Sequence, residues 1–444
     1  MYDDFDGDIK QSGKSKNQGQ SIIDEEPELN TDVEFSNLNE GEKIINKIKT
    51  GSLTNSIFAL FAFSPIITLF LSPFAFSKGG LIINIIMFSL IMFCSYISSN
   101  MLLRMITDKK FINSFQLISN YGERTLNIMN IICHIIFYFG NILIFMKFSY
   151  ILLSEMKEYF SLSSSNGVFS NINFIYLIIA LVVQFPLSFL KNEKVQISIQ
   201  LINLLLYLIM GIALIISFFV QGDKIRNKKY WFITPELDYI LVIAIYFLVG
   251  FNHLHLFNVV KNLRLYSKKR GHTLINVTLL IQFSLFIVYG FFGFFTTFNT
   301  TTLFFFSHSK FTNSVIFSIL KVLLILSMQT SISFSCIKIK DSIAMFCNKS
   351  IYIGAHFMIS LLSISLSNVI IIFWTTFKIE GVICIIGGLC VSILGYFIPI
   401  TIYLKVCVNI SEENAKLYRI FSYVMLFLGI AITSIGIAKY FFIS

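Results

Sequence analysis

From about residue 52 to the end of the chain, apolar runs alternate with short polar connections. A hydrocarbon core about 30 Å thick takes roughly 20 apolar residues per helical crossing. No water inside it can satisfy an open backbone group, so runs of this kind fold as helices or as a closed barrel, and unbroken apolar runs of this length select the helix. Eleven runs meet the requirement, at about 52–76, 80–103, 127–153, 172–190, 195–220, 238–261, 273–297, 313–337, 351–376, 380–404 and 418–441. The expected fold class is all-α integral membrane with eleven transmembrane helices. A 55% hydrophobic, 13% charged composition belongs to the same class.

The charge is unevenly spread. Residues 1–50 carry twelve of the 24 acidic residues and only six of the 34 Lys and Arg. This stretch, taken as a domain over 1–48, reads as a disordered acidic tail. Residues 49–444 form the membrane domain and hold the basic excess, in loops between apolar runs. That placement points to topology and lipid headgroups and away from nucleic acid. With the N-terminus in the cytosol, the inner loops hold seventeen Lys and Arg and the outer ones nine, although 221–231 runs against the trend with four. The expectation is a multi-pass protein, N-terminus cytosolic, of the plasma membrane or of a vacuolar or endosomal membrane. The sequon Asn299-Thr300-Thr301 then falls outside. No signal peptide precedes the acidic tail, so the first run is expected to direct insertion. The seven cysteines lie in apolar runs or at their ends without metal-ligand spacing, which argues against a disulfide framework, a zinc site or any cofactor.

The membrane runs are poor in carboxylates. All twelve acids beyond the tail fall in connections or near run ends, Glu155, Asp238 and Asp341 among them. This argues against a carboxylate-based pump and against an enzyme such as an acyltransferase, which needs an acid and a His together. The ionisable residues inside runs are His134, Lys147, His253, His255, Lys321 and His356. Lys147 and Lys321 are near enough to run ends to snorkel. His134 reads as a packed, hydrogen-bonded histidine.

Two runs are interrupted. The first holds Pro65 and Pro73, and a proline removes a backbone donor and crowds the preceding turn. The sixth contains Gly250-Phe251-Asn252-His253, a polar interruption in mid-run. The simpler alternative for each is a kinked helix without a ligand. Broken helices at matching positions of two halves are the usual sequence pointer to a transporter binding site. The first and sixth runs open successive sets of five, so the geometry expected is a 5+5 inverted repeat plus one helix. Helix ends exposed at such breaks offer N–H groups to a carboxylate and C=O groups to an ammonium, which suits a zwitterion.

Several motifs then resemble the amino acid/auxin permease family of secondary transporters. They are Gly51-Ser52-Leu53, Ser72-Pro73-Phe74-Ala75-Phe76 and Gly79-Gly80 in the opening, Tyr121-Gly122, the link Pro186 to Asn192, the segment Gly250 to Leu263 with its histidine at His253, and Tyr289 to Phe294. The eighth run resembles the family's motif in degenerate form, as Cys336-Ile337-Lys338 or Lys338-Ile339-Lys340. The resemblance implies a LeuT-type fold and amino-acid transport on a proton or sodium gradient. The unwound segments it implies are Ser64, Pro65, Ile66, Ile67 and Thr68 in the first run and Gly250, Phe251 and Asn252 in the sixth. Asn141 is a further substrate-binding candidate, and His253 the proton-coupling one. The chain departs from the family at Ile66-Ile67-Thr68, which lacks the glycines of the first break, and at Ala62, where sodium-coupled members carry Asn. A sodium site from the hydroxyls of Thr330 and Ser331 is therefore the weaker option, and proton coupling, or none, the favoured one. The competing reading is a non-transporting amino-acid sensor of the same fold.

Overall fold

The computed structural model describes residues 52–63, 66–109, 122, 124–159, 172–190, 193–221, 238–263, 267–297, 301–307, 315–347, 353–373, 378–406 and 411–442. The chain divides after Ile48, and the acidic tail lies outside the described residues.

The membrane unit is all helical. In order it runs α1 (Leu53–Phe63), a 3-10 stretch (Ile66–Leu71), α2 (Ser72–Gly79), α3 (Leu81–Lys109), α4 (Arg124–Tyr159), α5 (Ile172–Leu187) and α6 (Glu193–Gln221). Then come α7 (Tyr239–Val249), α8 (His253–Asn262), α9 (Lys268–Thr297), α10 (Val315–Cys347), α11 (Ile353–Phe373), α12 (Ile379–Val406) and α13 (Glu412–Phe442). Among the described residues nine helices are long and apolar enough to cross a membrane, α7 and α8 counting together as one. The first expected run is split into two short helices, and the fourth, α5, is shorter than a full crossing.

At the second interruption α7 ends at Val249 and α8 starts at His253, and in the first run α1 gives way to the 3-10 stretch and α2; these elements pair. The half before the first break, α1, packs on the half after the second, α8; α2 packs on α7. The two broken helices therefore run antiparallel with their breaks side by side. Around them α4 lies along α10, α9 lies against α2 and α3, and α12 is buried between α13, α7, α4 and α3. The outward faces of α6, α11 and α13 carry exposed Leu, Ile and Phe side chains, Phe219 and Phe427 among them, which suits contact with lipid.

Proline explains two of the places where the long helices widen. Pro186 has no N–H and its ring crowds the turn before it. In α5 the turn Ala180–Gln184 opens to a π-helix, with Phe185 N–H reaching the carbonyl of Ala180. In α12 the π stretch Ser392–Phe397 precedes Pro399. The Gly395 carbonyl, four residues before that proline, accepts a hydrogen bond from Ser98 Oγ of α3 instead. A second π stretch, Ile385–Cys390, has its preceding Cys384 carbonyl bonded by Thr433 Oγ1 of α13 at 3.1 Å.

One expectation is corrected. Lys321 does not snorkel: its side chain is 3% exposed and pairs with Glu155 on α4 at 2.7 Å. The carboxylate at the end of the third run supplies a counter-charge within reach, so burial costs less than the spacing suggests. His134 is bonded as expected, its Nδ1 lying 2.8 Å from the Asn130 carbonyl.

Candidate functional site

The α7–α8 break is built by three residues with separate tasks. Gly250 ends α7 where α3 approaches closely; a Cβ there would lie 2.6 Å from Ser95 Oγ. The Phe251 ring, 2% exposed, meets Phe137 of α4 edge-on at 5.1 Å and stacks on His253 at 5.5 Å. Asn252 turns its amide to α9, where it forms a reciprocal pair with Gln282. Asn252 Nδ2 donates to Gln282 Oε1 at 2.7 Å, and Gln282 Nε2 donates to Asn252 Oδ1 at 2.9 Å. Both amides are buried, and each satisfies one donor and one acceptor of the other in a medium that offers few alternatives.

His253 opens α8 and is buried. Its Nε2 lies 3.3 Å from Ser99 Oγ of α3, and its Nδ1 has no hydrogen-bond partner among the described residues. Nδ1 faces α12 at Gly395, where an added Cβ would come within 3.4 Å. The ring of Tyr396 is 5.9 Å away, and its hydroxyl bonds Ser95 Oγ at 2.8 Å.

In the first run, Ser64 and Pro65 lie outside the described residues. Ile66 and Ile67 enter the 3-10 stretch, and Thr68 is buried within it. Phe70 follows as the centre of an aromatic cluster that sequence reasoning missed. Its ring lies 5.3 Å from Tyr207, 5.7 Å from Tyr289 and 5.1 Å from Phe306. Phe306 belongs to a connection, but Phe304, Phe305 and Phe306 are all buried, and Phe304 stacks on Phe148 of α4 at 4.4 Å. This connection packs on the 3-10 stretch and on α4.

Asn141 is buried on α4. Thr330 and Ser331 form a separate group where α6 meets α10. Thr330 Oγ1 accepts from Asn203 Nδ2 and donates to the Ser327 carbonyl, both at 2.8 Å; Ser331 Oγ donates to the same carbonyl at 3.1 Å. Ser327 Oγ in turn bonds Tyr207 Oη at 2.9 Å, which brings α10 to the edge of the Phe70 cluster.

Asp238 at the head of α7 joins three elements. Lys78 of α2 bonds its Oδ2 at 2.7 Å; Lys439 and Tyr440 of α13 bond its Oδ1, the tyrosine at 3.2 Å. Partial burial alone would raise the Asp238 pKa, but the hydrogen bonds and charges of Lys439 and Lys78 outweigh it and hold the carboxyl near about 2. A depressed carboxyl pKa contributes stability that is full above the unfolded value of 3.8 and is lost as pH falls towards about 2. Asp238→Asn should therefore cost about 1–2 kcal/mol at pH 7, after discount for partial exposure. Denaturation of detergent-solubilised protein should show that deficit shrinking between pH 4 and pH 2. A deficit independent of pH would remove the ionised carboxylate from the explanation.

No family model matches the chain, and no curated protein matches it by sequence. Solved structures do match. One is a Na+-coupled sialic acid symporter in a substrate-bound, outward-open state, at TM-score 0.53 and 12% identity, over 93% of this chain and 95% of that one. Another is a manganese transporter of Eremococcus coleocola, at TM-score 0.57 and 11% identity, over 91% and 90%. The chain shares their fold. It is an all-helical, multi-pass integral membrane protein, and the match extends over nearly the full length of each neighbour.

Proposed function

We propose that this chain is a secondary active transporter that moves amino acids by alternating access, coupled to protons. The observation that carries the reading is the antiparallel pairing of two broken helices, α1 on α8 and α2 on α7. Two breaks at one level place helix ends on both sides of a single point, which suits a ligand carrying an ammonium and a carboxylate. The 5+5 repeat finds support in the same contacts: the first run pairs with the sixth, and the third, α4, with the eighth, α10. The neighbours are transporters, and one of them is a Na+-coupled symporter, which points the same way. His253, buried at the second break, is the group through which a proton would act. With a cytosolic N-terminus, Phe304–Phe306 and the Asp238 cluster lie on the outer side.

The test is uptake of a labelled amino-acid mixture into proteoliposomes under a proton gradient, a sodium gradient and neither. Accumulation driven by protons, and lost in His253→Ala at unchanged protein level, is the expected result. Accumulation with sodium alone overturns the coupling. Binding without flux under any gradient makes the chain a sensor of the same fold.

A further inference from the structure

Cys133 of α4 and Cys390 of α12 are 4% and 0% exposed, and their thiols hydrogen-bond each other. They sit where the two helices are packed together. Gly140, two turns after Cys133, meets Ile386, one turn before Cys390, so closely that a Cβ on the glycine would overlap the isoleucine side chain. Cys390 ends the π stretch Ile385–Cys390, and π turns inside α-helices are frequent at functional positions. The transport reading uses neither sulfur. A buried cysteine by itself behaves as a small apolar residue. Two that hydrogen-bond are a different case. The thiolate is the reactive form, and whichever sulfur ionises keeps the other's S–H as its donor. The sulfurs also face each other across the crossing, as the directional geometry of a disulfide requires. Beside them is a cavity of about 30 Å³, counted for the centre of a water-sized sphere. Asn130, one turn from Cys133, and Leu394, one turn from Cys390, are in its lining. One or two waters need no more space, and hydrogen peroxide is a neutral molecule of about that size.

We propose that Cys133 and Cys390 are an oxidative modification site, at which hydrogen peroxide closes a disulfide between α4 and α12. The thiolate of one cysteine attacks a peroxide oxygen; the O–O bond breaks, and hydroxide leaves and takes up the thiol's proton as water. The second sulfur then attacks the sulfenic acid so formed. The S–S bond forms, the S–O bond breaks, and hydroxide leaves with the second thiol's proton as another water. Two thiols together lose two electrons, and one peroxide is reduced to two waters. The bond ties both walls of the second break. Phe251 meets the ring of Phe137, one turn from Cys133, and His253 faces Gly395, five residues beyond Cys390. Walls held at a fixed spacing cannot shift around the break, so closure of the bond arrests alternating access. The arrest rests on the transport reading; the disulfide does not.

The test uses the full chain, reconstituted in liposomes and exposed to hydrogen peroxide. After denaturation in an alkylating reagent, the mass of the wild type should show two fewer labels than its seven cysteines accept when reduced. Dithiothreitol should restore both, and peptide mapping should place the bond between Cys133 and Cys390. Cys133→Ala and Cys390→Ala should each keep their full label; either one suffices should the other fail to fold. No loss from the wild type, an equal loss from a folded variant, or oxidation that dithiothreitol does not reverse overturns the site. Uptake of labelled amino acids should fall several-fold in the oxidised wild type, return on reduction and be insensitive to peroxide in the variants. Unchanged uptake by protein that carries the bond overturns the arrest. A wild type that takes up no amino acid, yet closes the bond and gains thermal stability by it, refutes transport and leaves the modification site standing.

Discussion

Gly387→Ala is expected to deplete folded protein several-fold in the membrane, while Gly354→Ala, the same change in another membrane helix, leaves it unchanged or higher. A Cβ at Gly387 would overlap the Ala244 carbonyl oxygen of α7 and lie 2.9 Å from its carbon. Both are backbone atoms, so no rotamer change relieves the clash, and one helix has to move. Neither is free to do so. Tyr396 of α12 packs on Phe247 of α7 at 5.8 Å, and on its other side α12 crosses α13 at Gly388 and Gly429, where an added Cβ would meet backbone again. Small residues at crossings of this kind are what allow helices to associate tightly in lipid. Overpacking costs about 1–3 kcal/mol where side chains can adjust, and here they cannot. At Gly354 nothing lies within 4 Å of the added atom, and alanine gains about 1 kcal/mol of helix propensity. The two variants are compared by size-exclusion profile and by thermal unfolding in detergent. Equal behaviour would mean that α7 and α12 are looser than the glycine contact indicates.

Much of the fold was legible in the sequence because its rule is simple: apolar length sets a crossing, and proline or a polar interruption sets a break. The 250–253 interruption was read correctly as to place, since Gly, Asn and His stand out in an otherwise apolar run. What partners those residues was not legible. Gln282 is one polar residue in a long apolar run, and its pairing with Asn252 depends on the rotation of α9. Ser99 and Gly395 come to His253 from helices distant in sequence. The Phe70 cluster was hidden for the opposite reason. In a chain with 49 phenylalanines no single one is conspicuous, and Phe304 to Phe306 read as part of a loop. Lys321 was misjudged because distance from a run end says nothing about a counter-ion on another helix.

Asn252→Leu and Gln282→Leu are each expected to lower uptake by about tenfold or more, although Gln282 lies outside both breaks. Each variant leaves the partner's buried amide with two unmet hydrogen bonds, at about 1–3 kcal/mol for the group, and frees the second break from α9. A break displaced by even 1 Å spoils the alignment on which positioning depends. The double variant separates two roles for Asn252. Replacing both amides by leucine removes the unsatisfied groups together, so thermal stability should return close to that of the wild type. Uptake should not return where Asn252 is a substrate ligand, as the resemblance implies, because leucine offers the substrate no polar partner. Proteoliposome uptake and thermal unfolding on all four proteins complete the cycle. Recovery of both properties in the double variant would make Asn252 a tie between α8 and α9 and nothing more, and would move substrate recognition to the backbone of the two breaks.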